Sequence, residues 1–172
     1  MSNYLINTVK EKTEHLFFPV MKVLKKLKLR PNFLTLCSFL SGAVAVILLR
    51  TDYFAFFAVL SVVFDIFDGH LARYTNRVTE LGAWLDHTSD RSVELLLILF
   101  APVAHFFLLV ACFLFILHQL LFIFVERTIF PARTILVAFF IFKLFSLGIY
   151  ISIVFYVLGI CWQLLKYFRK RV

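Results

Sequence analysis

From residue 33 to residue 168 this chain is a succession of apolar runs with almost nothing between them, and that pattern limits what it can fold into. The runs occupy residues 33–49, 53–73, 80–100, 103–125, 128–145 and 149–168. Each lies near the roughly 20 residues, within about 17–25, that an α-helix needs to cross a bilayer. The interruptions are short: Arg50-Thr51-Asp52, the polar turn 74–78, Ala101-Pro102, Glu126-Arg127 and Ser146-Leu147-Gly148. Of the 172 residues, 62% are hydrophobic and 16% charged, against about half and about a quarter in soluble domains. A small domain has too little interior to hide that surface, so the surplus must face lipid. The expected fold is an all-α membrane protein, with six transmembrane helices over residues 31–172.

The segment before these runs differs in character. Leu5, Val9, Leu16, Val20, Val23, Leu24 and Leu27 form an imperfect apolar stripe among lysines, which predicts an amphipathic helix over residues 1–30 lying in the membrane interface. Pro31 and Asn32 are expected to end it. Nothing in it resembles a cleavable signal peptide. The net charge of +8 is concentrated before the first run and after the last, so it points to lipid headgroups and orientation rather than to nucleic acid. Six spans gather most basic residues on one face and leave only Arg50 and Lys143 on the other. Both termini are therefore expected in the cytoplasm, with the protein in the cell membrane. Cys37, Cys112 and Cys161 are far apart in apolar runs and read as small buried hydrophobes.

The polar residues of the second and third runs carry the chemistry. They read Asp65-x2-Asp68-Gly69-x2-Ala72-Arg73-x8-Gly82-x3-Asp86-x3-Asp90. A carboxylate inside a span costs at least about 2.5 kcal/mol on insertion scales, so functional use is the default reading. Asp65 and Asp68 are i, i+3 neighbours and Asp86 and Asp90 are i, i+4 neighbours, so each pair shares a helix face. The turn at 74–78 folds the two runs into a hairpin and brings both pairs together near its cytoplasmic end. Like charges so close need compensation, and hard oxygen ligands suit Mg²⁺ or Mn²⁺. Ala72 and Gly82 leave room for a ligand on the same faces, and Arg73 offers a planar fork of donors to a phosphate.

These residues, from Asp65-Ile66-Phe67-Asp68-Gly69-His70-Leu71-Ala72-Arg73 through Gly82, Asp86 and Asp90, resemble the signature of the CDP-alcohol phosphatidyltransferases. The Pro31-Asn32-x-Leu34-Thr35 opening of the first span and the six-span plan are similar to that family as well. The resemblance implies a site for two divalent ions on Asp65, Asp68, Asp86 and Asp90, with Asp90 also acting as the base. It implies CDP-lipid contacts from Gly69, Arg73 and Thr79, and a lining completed by Asn32, Asp68, Ala72 and Gly82. It further implies CDP-diacylglycerol as donor, a small polar alcohol as acceptor, CMP as product and a homodimer as the assembly.

Asp90-Arg91 following Gly82 to Asp86 looks more like the inositol-phosphate and polyol-phosphate branch. Serine, glycerol phosphate and an amino alcohol stay open as acceptors. Arg91, Arg127 and Arg133 are candidates to bind an acceptor phosphate, although Arg127 and Arg133 could equally mark the positive face. Glu94 either pairs with one of these arginines or positions a ligand. His70 and His87 are expected as linings or lipid-facing groups, and His105 and His118 as packed polar residues. An intramembrane prenyltransferase and a cation transporter also use intramembrane aspartates. The first needs a larger bundle, and the second has no need of the Gly69, Ala72, Arg73 and Gly82 spacing.

Overall fold

The computed structural model describes residues 17–124 and 132–169. Among them the chain forms helices and no strand. The first helix, α1, is Phe17–Lys26. Then follow α2 (Pro31–Ile47), α3 (Tyr53–Tyr74), α4 (Glu80–Phe100), α5 (His105–Phe124), α6 (Ala132–Ile141) and α7 (Phe145–Arg169).

Helices α2 to α7 fall on the six apolar runs. By length and composition, α3, the His105–Ile123 stretch of α5, and α7 suffice to cross a membrane, and a fourth crossing results if α1 and α2, bent by 107°, form one broken span. The charges of Asp86, Asp90, Arg91 and Glu94 dilute the apolar character of α4, and α2 is only 17 residues long. The protein is a multi-pass membrane protein.

Three helix ends share one device. At Lys28, Asn76 and Lys143 the backbone turns left-handed, with φ of 57°, 53° and 58°. In each case the next residue's N–H reaches back five residues: Leu29 to Leu24, Arg77 to Ala72 and Leu144 to Phe139. This is the Schellman closure, which satisfies carbonyls that a helix end leaves orphaned. It moves two boundaries from their expected places. The first helix stops at Lys26, before Pro31, and Pro31 opens α2, where its missing N–H costs nothing. Residues 1–16 of the expected amphipathic helix lie outside the described residues. The last two helices divide at residues 142–144, not at Ser146-Leu147-Gly148. Gly148 instead lets α7 pass close to α6, because a Cβ there would lie 3.0 Å from Phe139 Cβ.

The core positions the site. Val93, Leu97 and Ile98 of α4 pack with Ala45 and Val46 of α2, Phe54 and Ala58 of α3, Leu136, Val137 and Phe140 of α6, and Tyr156 of α7. Helix α2 turns a stripe of small residues inward: Thr35, Ser38, Ser41, Gly42 and Ala45 are all buried. Such residues let backbones approach where lipid supplies no hydrophobic drive. Ser38 Oγ donates to the Ser61 carbonyl at 2.9 Å, and Ser61 Oγ donates to the Ser38 carbonyl at 2.7 Å, which locks α2 to α3. Met21 of α1 seals the end of this pair against Leu34 and Leu71, while Lys22, Lys25 and Lys26 stay exposed. None of the three cysteines is fully buried, and Cys161 faces outward, where a thiol is apolar enough for lipid.

Candidate active site

The hairpin of α3 and α4 brings three of the four aspartates together. Ligand oxygens of Asp65, Asp68 and Asp86 all lie within 4.8 Å of one another. Asp90 is not in that group; its Oδ1 accepts a hydrogen bond from Arg133 Nη1. Asp68 is buried, and its Oδ2 accepts from Thr35 Oγ1 at 2.6 Å. Asp86 Oδ1 is buried and has no hydrogen-bond partner. An orphaned carboxylate oxygen beside two further carboxylates is what a divalent cation would satisfy, so these residues fit a hard-ion site.

Two cavities flank the cluster and meet at it. The first, of about 340 Å³, is lined by Asn32, Thr35, Asp68, Gly69, Arg73 and Asp86 among others. It gathers every residue expected to line the CDP-lipid site, since Ala72, Thr79 and Gly82 also border it. Thr79 caps α4, its Oγ1 accepting from Gly82 N at 3.1 Å. A Cβ at Gly82 would sit 3.0 Å from Thr79 Oγ1 and 3.4 Å from Asn32 Oδ1, so glycine keeps that wall thin. The second cavity, of about 870 Å³, holds Asp90, His87, Arg91, His118, Gln119 and Phe122. Asp86 lines both. Both volumes fall in the range of about 300–1,000 Å³ usual for small-molecule sites.

The arginines separate. Arg91 lines the larger cavity and forms an ion pair with Glu94, which is wholly buried. Tyr156 on α7 donates its hydroxyl proton to the same carboxylate. Among the described residues, Glu94 thus pairs with Arg91, one of the partners expected for it. Arg127 lies outside the described residues. Arg133 is buried and lines neither cavity. It is 4% exposed and bonds Asp90, Ser61 and Ser38, with Asp65 Oδ1 at 3.6 Å. Among the described residues, the partners of its guanidinium are the acids and hydroxyls of the site. His87 stacks on Phe122 at 4.3 Å between centroids, and His118 is buried against Tyr156, as a packed polar residue should be, while it also borders the larger cavity. The sequence reading named Thr35 only in the opening of the first span, without its bond to Asp68, and missed Ser38 and Ser61. The signal for Thr35 and Ser38 was a polar stripe on one face of the otherwise apolar α2, and Ser61 is the lone serine of α3.

The sequence profile described as CDP-alcohol phosphatidyltransferase matches residues 28–169. The chain belongs to the CDP-alcohol phosphatidyltransferase family. It is also similar to a phosphatidylinositol phosphate synthase of Corynebacterium glutamicum, with 44% identity over 80 residues. That match covers 44% of this chain and 36% of the relative, so it spans about a third of that protein's length.

Proposed function

We propose that the protein transfers a phosphatidyl group from CDP-diacylglycerol to the hydroxyl of a phosphorylated polyol, an inositol phosphate being the best match, and releases CMP. The observation that carries this reading is the shared wall: Asp86 borders both a small cavity with Arg73 and a larger one with Asp90. Two substrates bound on either side would meet at the acid cluster. The partial likeness to a phosphatidylinositol phosphate synthase supports the choice of acceptor.

In this scheme Arg73, Gly69, Ala72, Thr79, Gly82 and Asn32 receive the cytidine diphosphate, with the Arg73 fork on its phosphates. The acceptor enters the larger cavity near Arg91. Its hydroxyl oxygen forms a bond to the β-phosphorus while the bond from that phosphorus to the bridging oxygen breaks. CMP leaves with the bridging oxygen, and the hydroxyl proton passes to Asp90 as general base. Asp65, Asp68 and Asp86 would hold Mg²⁺ or Mn²⁺, and such ions, when bound, neutralise charge that develops on the pyrophosphate. We further read α2 to α7 as six crossings, α1 as interfacial, the site and both termini as cytoplasmic, and the assembly as a homodimer in the cell membrane.

The test is CMP release by the purified protein in lipid with CDP-diacylglycerol and, in turn, an inositol phosphate, inositol, glycerol phosphate and serine. The inositol phosphate should give the fastest release, and a chelator should stop it until Mg²⁺ or Mn²⁺ is restored. Silence with every acceptor refutes the transferase reading, and full turnover in chelator refutes the metal site.

A further inference from the structure

We propose that Glu94 and Tyr156 are positioning residues that hold Arg91 in the larger cavity as its anchor for a phosphate monoester, so that the site selects a phosphorylated acceptor over the free alcohol. Their effect on turnover rests on the function proposed above; their effect on binding of the phosphorylated acceptor does not.

The wall of the larger cavity carries acids in excess. Glu80, Asp86 and Asp90 border it, and among the described residues Arg91 is its only lysine or arginine. An anionic acceptor entering beside those carboxylates is repelled unless a cation offsets them. Arg91 is placed to do so, and a guanidinium offers paired donors to phosphate oxygens.

Left alone, an arginine midway along a span stretches toward the polar end of its helix. Here Glu94, three residues further along α4, pairs with Arg91 Nη1 and is itself wholly buried. The pair therefore fixes the guanidinium at this depth. A carboxylate can also consume a guanidinium's donors by closing on it with both oxygens. Tyr156 works against that: its hydroxyl donates to Glu94 Oε1, while Arg91 is met by the other oxygen, Oε2. Arg91 Nε is left buried with no partner, so the fork keeps a donor that the bridge to Glu94 does not use. The brace is firm at its far end as well. Tyr156 is buried, and the rings of Phe115 and His118 on α5 lie 5.9 Å and 6.0 Å from its own. Helix α7 borders neither cavity, yet through Glu94 it acts on the larger one.

Binding and kinetics together test this. Titration calorimetry on the full chain in phosphatidylcholine nanodiscs, without donor, reads the binding of an inositol phosphate and of inositol. CMP release supplies turnover and both KM values. In Tyr156→Phe, Glu94 is free to close on Arg91, and the dissociation constant and KM for the inositol phosphate should rise about three- to tenfold, the worth of one hydrogen bond. In Arg91→Gln they should rise about tenfold or more, because the lost contact is charge-assisted. Affinity for free inositol and KM for CDP-diacylglycerol should change little in both, whereas a merely structural role would weaken all three alike. The double variant Arg91→Gln with Glu94→Gln removes the pair together, so it serves if Arg91→Gln, which leaves Glu94 buried and unpaired, does not fold. It should show the same selective loss. Unchanged inositol phosphate binding in Tyr156→Phe or in the double variant, an equal loss for inositol, or a rise in KM for CDP-diacylglycerol instead each overturns the proposal. So does a wild type that binds no inositol phosphate. A wild type that binds it and never releases CMP would refute the transferase reading alone.

Discussion

The acids of the hairpin have different neighbours. Thr35 donates to Asp68, Arg133 donates to Asp90, and one oxygen of Asp86 is unpaired. A hydroxyl and a guanidinium are unequal partners: the first only orients a carboxylate, and the second also balances its charge. Asp90 and Arg73 should accordingly fail in different ways. Asp90→Asn keeps the shape and an oxygen for Arg133 but cannot take a proton. Turnover should drop by a factor of about 10² to 10⁴, with CDP-lipid affinity within about tenfold of wild type. Arg73→Ala, which removes a charge-assisted contact from the smaller cavity, should weaken CDP-lipid binding itself. Affinity and turnover measured side by side for both variants decide this, and near-normal turnover in Asp90→Asn would mean that the proton leaves by another route.

At the scale of elements, the bundle depends on close approach more than on bulk. The small stripe of α2 lets it lie against α3 and α4, and Gly42 is its tightest point. A Cβ there would lie 2.7 Å from Val93 Cγ2 and 3.0 Å from Ser61 Oγ. Neither neighbour can swing away: Val93 is a stiff, buried β-branched residue, and Ser61 is engaged with Ser38 and Arg133. Gly42→Val should therefore destabilise the fold by about 1–3 kcal/mol, the usual cost of overpacking. Because Ser61 seats Arg133, activity should fall before the fold is lost. Thermal unfolding in detergent checks the first effect, and an unchanged midpoint would show that α2 can move aside.

At the scale of the whole molecule, the question is how the helices cross. The three-residue break at 142–144 and the contact of Gly148 with Phe139 and Phe140 make α6 and α7 a hairpin. If both cross, Lys143 reaches the face opposite the C-terminus. A reporter inserted at residue 144 should then read outside, and one fused after Val172 should read cytoplasmic. The same reading at both positions would make the hairpin re-entrant and reduce the six crossings. Lys143 forms an exposed ion pair with Asp52 at 3.0 Å, which ties this turn to the loop between α2 and α3 and places both on one side.

Much of this was legible in the chain alone, because it depended on composition and on spacing along single helices. Lipid is the only solvent that accepts so many apolar runs, and i, i+3 and i, i+4 offsets fix which side chains share a face. So the helices, the hairpin of acids and the chemistry those acids suit could be read without coordinates. Helix ends were less legible: left-handed closures at Lys28 and Lys143 carry no glycine to announce them, and the glycine at 148 marks a crossing instead. What passes between helices could not be read at all. That Arg133 joins Asp90, that Thr35 holds Asp68 and that Tyr156 reaches Glu94 depends on how the helices rotate against one another. A buried charge takes whichever partner the packing brings within reach, and no spacing within one helix specifies that partner.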